Sequence, residues 1–243
     1  MAPVDLQTGI YTGFVIFIAY LVRGVAGFGS GLISVPLLAL QFPLTVVVPV
    51  IVLLDYLGSA SQGIKNREYI AWQEQLPLIP FTLLGVGEGI FLLTAVTAVV
   101  LGKALGGFII AYAIYQLLPL PALHGSRLLA IPYGLLGGFM GTLFGTGGPF
   151  YVIYFNLRNL PKHSFRATFA TNFLIDGAIR ITAYATIGFF QRDVLIFLLT
   201  ALPIAAAGLY LGGRIHLDLS RESFVRFISI LLLASGTVLL LKT

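Results

Sequence analysis

Arg23-Gly-Val-Ala-Gly-Phe-Gly-Ser-Gly-Leu-Ile-Ser-Val-Pro36 sets four glycines, one arginine and the hydroxyl of Ser30 into surroundings that are otherwise apolar. The pattern returns 116 residues later in Gly141-Thr-Leu-Phe-Gly-Thr-Gly-Gly-Pro149, where Phe144-Gly145-Thr146-Gly147 lines up with Phe28-Gly29-Ser30-Gly31. In a soluble protein such runs are turns. Flanked by apolar segments of hydrocarbon length, they read as interruptions of transmembrane helices, because irregular backbone at membrane depth is tolerated only inside protein or along a polar cavity. The expectation is that the two breaks together form a substrate site.

Composition sets the class. The 243 residues are 58% hydrophobic and 9% charged, where soluble domains carry about 25% charged residues, and the mean hydropathy is +0.99. The chain reads as an all-α polytopic protein of the lipid bilayer. Met1-Ala-Pro-Val-Asp5 has no basic region ahead of the first apolar run, so that run reads as a span and not as a signal peptide. The net charge of +5 does not point to nucleic acid, since the basic residues stand singly between apolar segments. With no cysteine there is no disulfide, thiolate ligand or cysteine nucleophile, and His124, His163 and His216 make no ligand spacing. No metal, cofactor or enzymatic activity is expected, because the apolar segments hold no nucleophile, metal cluster or paired catalytic carboxylates.

Two apolar windows have awkward lengths. Leu128 to Leu157 is 30 residues, about 45 Å as a helix, too long for one crossing and short for two. Gly24 to Leu54 likewise needs an interruption, and Pro43 disfavours helix at Phe42. Eight crossings follow if each glycine motif is a kink; ten follow if the segments after the motifs enter the membrane separately, as short crossings or re-entrant arms. The positive-inside rule favours ten, with Lys65, Arg127, Lys162, Arg214 and six further basic residues on the cytoplasmic face and only Lys103, Arg192 and Lys242 outside. Both termini are then outside.

The repeat extends beyond the glycines. Pro80-x4-Gly85-x3-Gly89 recurs as Pro203-x4-Gly208-x3-Gly212, Pro43 matches Pro161, and Asp55 can be laid against Asp176. The chain divides into a repeat over 1–118, a linker over 119–126 and a second repeat over 127–243. Five segments in each half would give the halves opposite orientations, and inverted repeats with broken helices near the midplane are a common plan of secondary transporters.

Helix starts at the breaks offer unpaired N–H groups and a positive dipole end to an anion. Candidate substrate-binding residues are therefore Arg23, Gly27, Gly29, Ser30, Gly31, Gly145, Thr146, Gly147 and Gly148, with Asn172 from the later stripe; Arg23 reads equally as a snorkelling anchor. The stripe Gly137-x3-Gly141-x3-Gly145 suits helix packing. Asn172, Asp176, Arg180 and Tyr184 form a polar face at i, i+4, i+8 and i+12, within which Asp176 and Arg180 can pair. Asp55 has no basic residue within one turn. It is the stronger candidate for ion coupling, ahead of Asp176 and Arg180.

The run Gly-Phe-Gly-Ser-Gly-x4-Pro, its echo Gly-Thr-Gly-Gly-Pro, and Asn172-x3-Asp176-x3-Arg180-x3-Tyr184 after Arg166-x-Thr168 resemble the sulfite exporter TauE/SafE family. That resemblance implies a permease for small sulfur-containing anions, such as sulfite, thiosulfate or short organosulfonates, in a prokaryotic plasma membrane. Pro149 departs from the small residue frequent at its position. A passive anion channel and a carrier of other small organic anions are the alternatives. A homo-oligomer is compatible with the chain and not required by it.

Overall fold

A computed structural model describes residues 5–27, 29–118, 124–215 and 221–242, and His216 lies outside them. Among the described residues the regular structure is helical throughout. Helix α1 (Leu6–Ala26) starts at Asp5, whose carboxylate accepts from the Thr8 N–H at 2.7 Å. It stops at Gly27, held at φ 84° with its N–H on the Arg23 carbonyl. Gly29 at φ 100° turns the chain into α2 (Ser30–Leu38). After Pro43 comes α3 (Leu44–Gly63), followed by the short α4 (Trp72–Gln75), α5 (Leu78–Ala95) and α6 (Ala98–Leu117). The second half runs α7 (Ala130–Phe144), a break at Gly145 with φ 65°, α8 (Gly148–Leu157), α9 (Lys162–Thr186), α10 (Arg192–Arg214) and α11 (Arg221–Lys242).

Five stretches are long and apolar enough to cross a membrane: Leu6–Val25, Trp72–Ala95, Ala98–Leu117, Arg127–Phe144 and Arg192–Arg214. Apolar parts of α3 and α11 are shorter. The long α9 is absent from this set because its polar and charged residues lower its hydropathy, and of these Asn172, Asp176, Arg180 and Tyr184 are all buried. The chain is a multi-pass helical membrane protein.

Helix α1 packs on α10, α5 on α7, α3 on α9 and α6 on α11. This set of pairings is unchanged when every helix is exchanged for the one at the matching position in the other half. The repeated glycines make the contacts close. A Cβ on Gly85 would lie 2.1 Å from the Leu135 carbonyl oxygen of α7, and one on Gly208 would lie 2.6 Å from the Phe17 carbonyl oxygen of α1. Backbones that touch in this way hold membrane helices together by dispersion, since lipid tails supply no hydrophobic drive between helices.

Each broken helix folds back along its own first arm. The Tyr11 hydroxyl donates to the Leu37 carbonyl at 2.8 Å, bringing the end of α2 beside the start of α1, and Lys242 at the end of α11 donates to the Leu40 carbonyl. At the other end of the bundle the Gly125 N–H donates to the Leu157 carbonyl at 2.9 Å, joining the end of α8 to the approach to α7. There the buried Glu74 carboxylate takes Arg127 at 3.0 Å, Arg158 at 2.8 Å and the Tyr154 hydroxyl at 3.1 Å. With nine and ten residues, α2 and α8 are about 13.5 and 15 Å long, half the hydrocarbon thickness of about 30 Å.

Candidate functional site

The tips of the two broken helices meet in the interior. A Cβ on Gly31 would stand 2.2 Å from the Gly145 carbonyl oxygen, so the second residue of α2 rests directly on the backbone that ends α7. Beside this contact is a cavity of about 10 Å³, lined by Gly29, Ser30, Gly31, Asp55, Gly145 and Thr146 together with Leu32, Gly148, Pro149 and Phe173. That volume admits about one water molecule. The two motifs, 116 positions apart in sequence, thus share one small polar enclosure. Thr146 is 1% exposed, and its hydroxyl has no hydrogen-bond partner among the described residues.

Next to the cavity lies a polar cluster built by three helices. Asp55 of α3 accepts at Oδ1 from the Tyr20 hydroxyl at 2.6 Å and from Ser30 Oγ at 2.7 Å, and forms an ion pair with Arg23 of α1. Arg23 NH1 also reaches Ser30 Oγ at 3.1 Å, while NH2 donates to the Asp55 carbonyl at 3.0 Å and to Ser59 Oγ at 2.7 Å. Tyr20 and Arg23 share a face of α1 at i, i+3, and Asp55 and Ser59 share a face of α3 at i, i+4. Arg23 is 3% exposed and Asp55 6%. This density of partners is what a buried ion pair needs to offset its desolvation. The reading of Arg23 as a snorkelling anchor is therefore corrected. Asp55, which has no basic residue within one turn of its own helix, finds its charge partner 32 positions away, across α1 and α3.

A second, larger cavity of about 1040 Å³ opens between the ends of α1 and α10 and the beginning of α9. Its polar lining includes Arg23, Ser59, Arg166 and Arg214. Phe173 lines both cavities, and its ring centre is 5.5 Å from the Arg23 guanidinium, within cation–π range. The Arg23–Ser30–Asp55 cluster is the partition between the two spaces. Gly27 belongs to the outer one.

The matching cluster in the second half is closed off. Asp176 and Arg180 pair within α9, Arg180 NH1 donates to the Gly141 carbonyl at 3.0 Å, and the Tyr184 hydroxyl donates to the Thr142 carbonyl at 2.7 Å. These bonds cap the C-terminal end of α7, where the helix dipole favours a cation. Tyr151 of α8 bridges Asp176 at 3.3 Å and Thr82 of α5 at 3.2 Å. Neither Asp176 nor Arg180 lines either cavity.

Two sequence candidates lie elsewhere. Asn172 accepts from Gln75 at 2.9 Å and lines neither cavity. A Cβ on Gly147 would sit 2.4 Å from the Gly137 carbonyl oxygen, so this glycine packs the start of α8 onto α7. Tyr20 and Ser59 are site residues that sequence reasoning missed, though their spacing from Arg23 and Asp55 on single helix faces was a usable signal. Tyr151, one aromatic among many, carried none.

No curated protein and no solved structure matches the chain. The family model described as Sulfite exporter TauE/SafE matches residues 12–239, nearly the whole sequence, and with the broken-helix architecture behind that match the chain belongs to the TauE/SafE family of membrane transporters.

Proposed function

We propose that this protein is a secondary transporter that carries small sulfur-containing anions, among them sulfite, thiosulfate and short organosulfonates, across a prokaryotic plasma membrane. The observation that carries the reading is the enclosure between the two helix breaks, where the buried Thr146 hydroxyl has no partner among the described residues and Ser30 and Asp55 line the same space. A hydroxyl at the start of a short helix, beside an arginine, suits an oxyanion. Water-sized as it stands, the enclosure holds a substrate only when the tips of α2 and α8 draw apart. A large vestibule on one side of a closed site fits alternating access better than an open pore.

The architecture proposed is an inverted repeat of two five-segment halves, 1–118 and 127–243, with α2 and α8 as half-length arms and both termini outside. The exchange of α1·α10 for α5·α7 under swapping of the halves supports it. Asp55 is proposed as the ion-coupling group, since it belongs to the partition between vestibule and enclosure, and Asp176 with Arg180 as the fixed counterpart.

Thermal-shift screening against sulfite, thiosulfate, sulfoacetate, taurine, sulfate and simple carboxylates tests the substrate class, because a ligand that binds only the folded protein raises its apparent stability. Sulfur oxyanions are expected to stabilise, and Thr146→Ala to weaken their binding by roughly 0.5 to 1.5 kcal/mol. Stabilisation by carboxylates alone would transfer the reading to other organic anions.

A further inference from the structure

The Asp55 carboxylate is held as a bound anion would be. One oxygen, Oδ1, collects the Tyr20 hydroxyl at 2.6 Å, the Ser30 hydroxyl at 2.7 Å and the Arg23 guanidinium. The other arm of Arg23 is less well matched, since NH2 meets only neutral acceptors, the Asp55 carbonyl and Ser59 Oγ. Ser59 and Arg23 line the vestibule, whereas Ser30 and Asp55 line the enclosure. An oxyanion arriving past Arg166 and Arg214 reaches the Arg23 fork before any other group of the enclosure. A group with three oxygens can take both arms of that fork, which a carboxylate already bound through one oxygen does not.

Resting on the transport reading above, we propose that Asp55 is a resident competitor: it occupies the anion's place in the empty protein, and substrate loads by displacing it from Arg23, Tyr20 and Ser30. Charge balance then brings in a proton. The empty cluster is neutral, one guanidinium against one carboxylate. A monovalent oxyanion on Arg23 adds one negative charge to this buried cluster, and a proton that accompanies it onto Asp55 cancels that charge. The loaded cluster, guanidinium, oxyanion and carboxylic acid, is neutral again. Anion and proton therefore bind together. The titratable and charged groups on the helices around Asp55 are Tyr11, Tyr20 and Arg23 on α1, Tyr56 on α3 itself, Lys162, His163, Arg166, Asp176, Arg180 and Tyr184 on α9, and Arg192, Asp193, Tyr210 and Arg214 on α10. Of these, Asp176 and Arg180 pair with one another, and Tyr20 and Arg23 bond to Asp55.

The test is calorimetric titration of the purified transporter with a short alkanesulfonate, monovalent at every pH used, repeated in buffers of different ionisation enthalpy to count protons, with sulfite and thiosulfate titrated for binding alone. Wild type is expected to take up about one proton per anion, with affinity falling about tenfold per pH unit in the alkaline range. Asp55→Asn should bind without proton uptake, with affinity independent of pH and at least about tenfold tighter than wild type at alkaline pH, since the free seat is no longer shared. The neutral double variant Arg23→Gln with Asp55→Asn should fold and bind none of the three. Wild-type binding without proton uptake overturns the proposal even where Asp55→Asn does not fold, and so does Asp55→Asn binding with wild-type affinity and proton count; both leave the transport reading standing. Failure of wild type to bind any of the three anions overturns that reading and this inference with it.

Discussion

Replacing Gly31 with alanine tests the contact on which the whole site depends. The added Cβ would sit 2.2 Å from the Gly145 carbonyl oxygen, whereas ordinary contact begins at 3.4 Å, so the two tips must separate by more than an ångström. Helix propensity works the other way, favouring alanine in α2 by up to about 1 kcal/mol. The clash wins because its partner is backbone carbonyl and not the mobile end of a side chain; overpacking of this kind costs about 1 to 3 kcal/mol. A net loss of about 1 to 2 kcal/mol lowers the melting temperature by about 2 to 8 °C in a chain of this size. Ligand moves the balance back, since the enclosure must widen to hold an oxyanion. The stabilisation that substrate gives should therefore be at least as large in Gly31→Ala as in wild type. Gly87→Ala is the control, because its Cβ would meet no atom within 4 Å. Thermal unfolding in detergent with and without sulfite reads both quantities. If Gly31→Ala melts at or above wild type, as Gly87→Ala is expected to do, the helix tips do not touch and the shared enclosure is wrong.

Asp176→Asn leaves Arg180 buried without its counter-charge, a loss of about 3 to 5 kcal/mol or about 6 to 20 °C in melting temperature, and adding Arg180→Gln should restore most of it; no recovery in the double variant would mean that the pair does not act as a unit. Glu74→Gln removes the charge that holds Arg127 and Arg158 together at the mouth of the α7–α8 hairpin, and should raise protease sensitivity of the loop around Gly125 while a distant control loop stays protected. A single cysteine replacing Lys162, in a chain with no other cysteine, should react with an impermeant reagent from the cytoplasmic side alone; labelling from outside would reverse the proposed topology.

The helix breaks were legible because glycine is a poor helix former, and a run of it inside an apolar segment marks the place where a span stops. Gly27, Gly29 and Gly145 do adopt positive φ, and the repeat brings its two copies to one place. The face formed by Asn172, Asp176, Arg180 and Tyr184 was equally legible, since a spacing of four on a helix gives a buried stripe irrespective of what covers it. What the sequence hid is contact between elements. Arg23 and Asp55 pair across helices, as do Glu74 and Arg158 at 84 positions' separation, and no periodicity encodes such a distance. For the same reason Gly147 looked like a ligand position: only the fold reveals the Gly137 carbonyl lying against it.

The unequal placing of the two arginines makes their ion pairs differ in what a helix displacement would do to them. Arg180 lies one turn from Asp176 on the same helix, so their pair travels with α9 and survives any rigid displacement of it, while Arg180 also ties the end of α7 through the Gly141 carbonyl. Arg23 belongs to α1 and Asp55 to α3, so their pair must break or stretch whenever those two helices part. Of the two pairs, Arg23 with Asp55 borders the two cavities described above, Arg23 the vestibule and Asp55 the enclosure, and Asp176 with Arg180 borders neither of them. An ion pair within one helix acts as a clamp, whereas one between helices, with a cavity on either side, is the one that the displacement proposed above would break. Two buried clusters of the same residue types, Asp, Arg and Tyr, are thus built differently, around a pair within one helix at Asp176 and around a pair between two helices at Asp55.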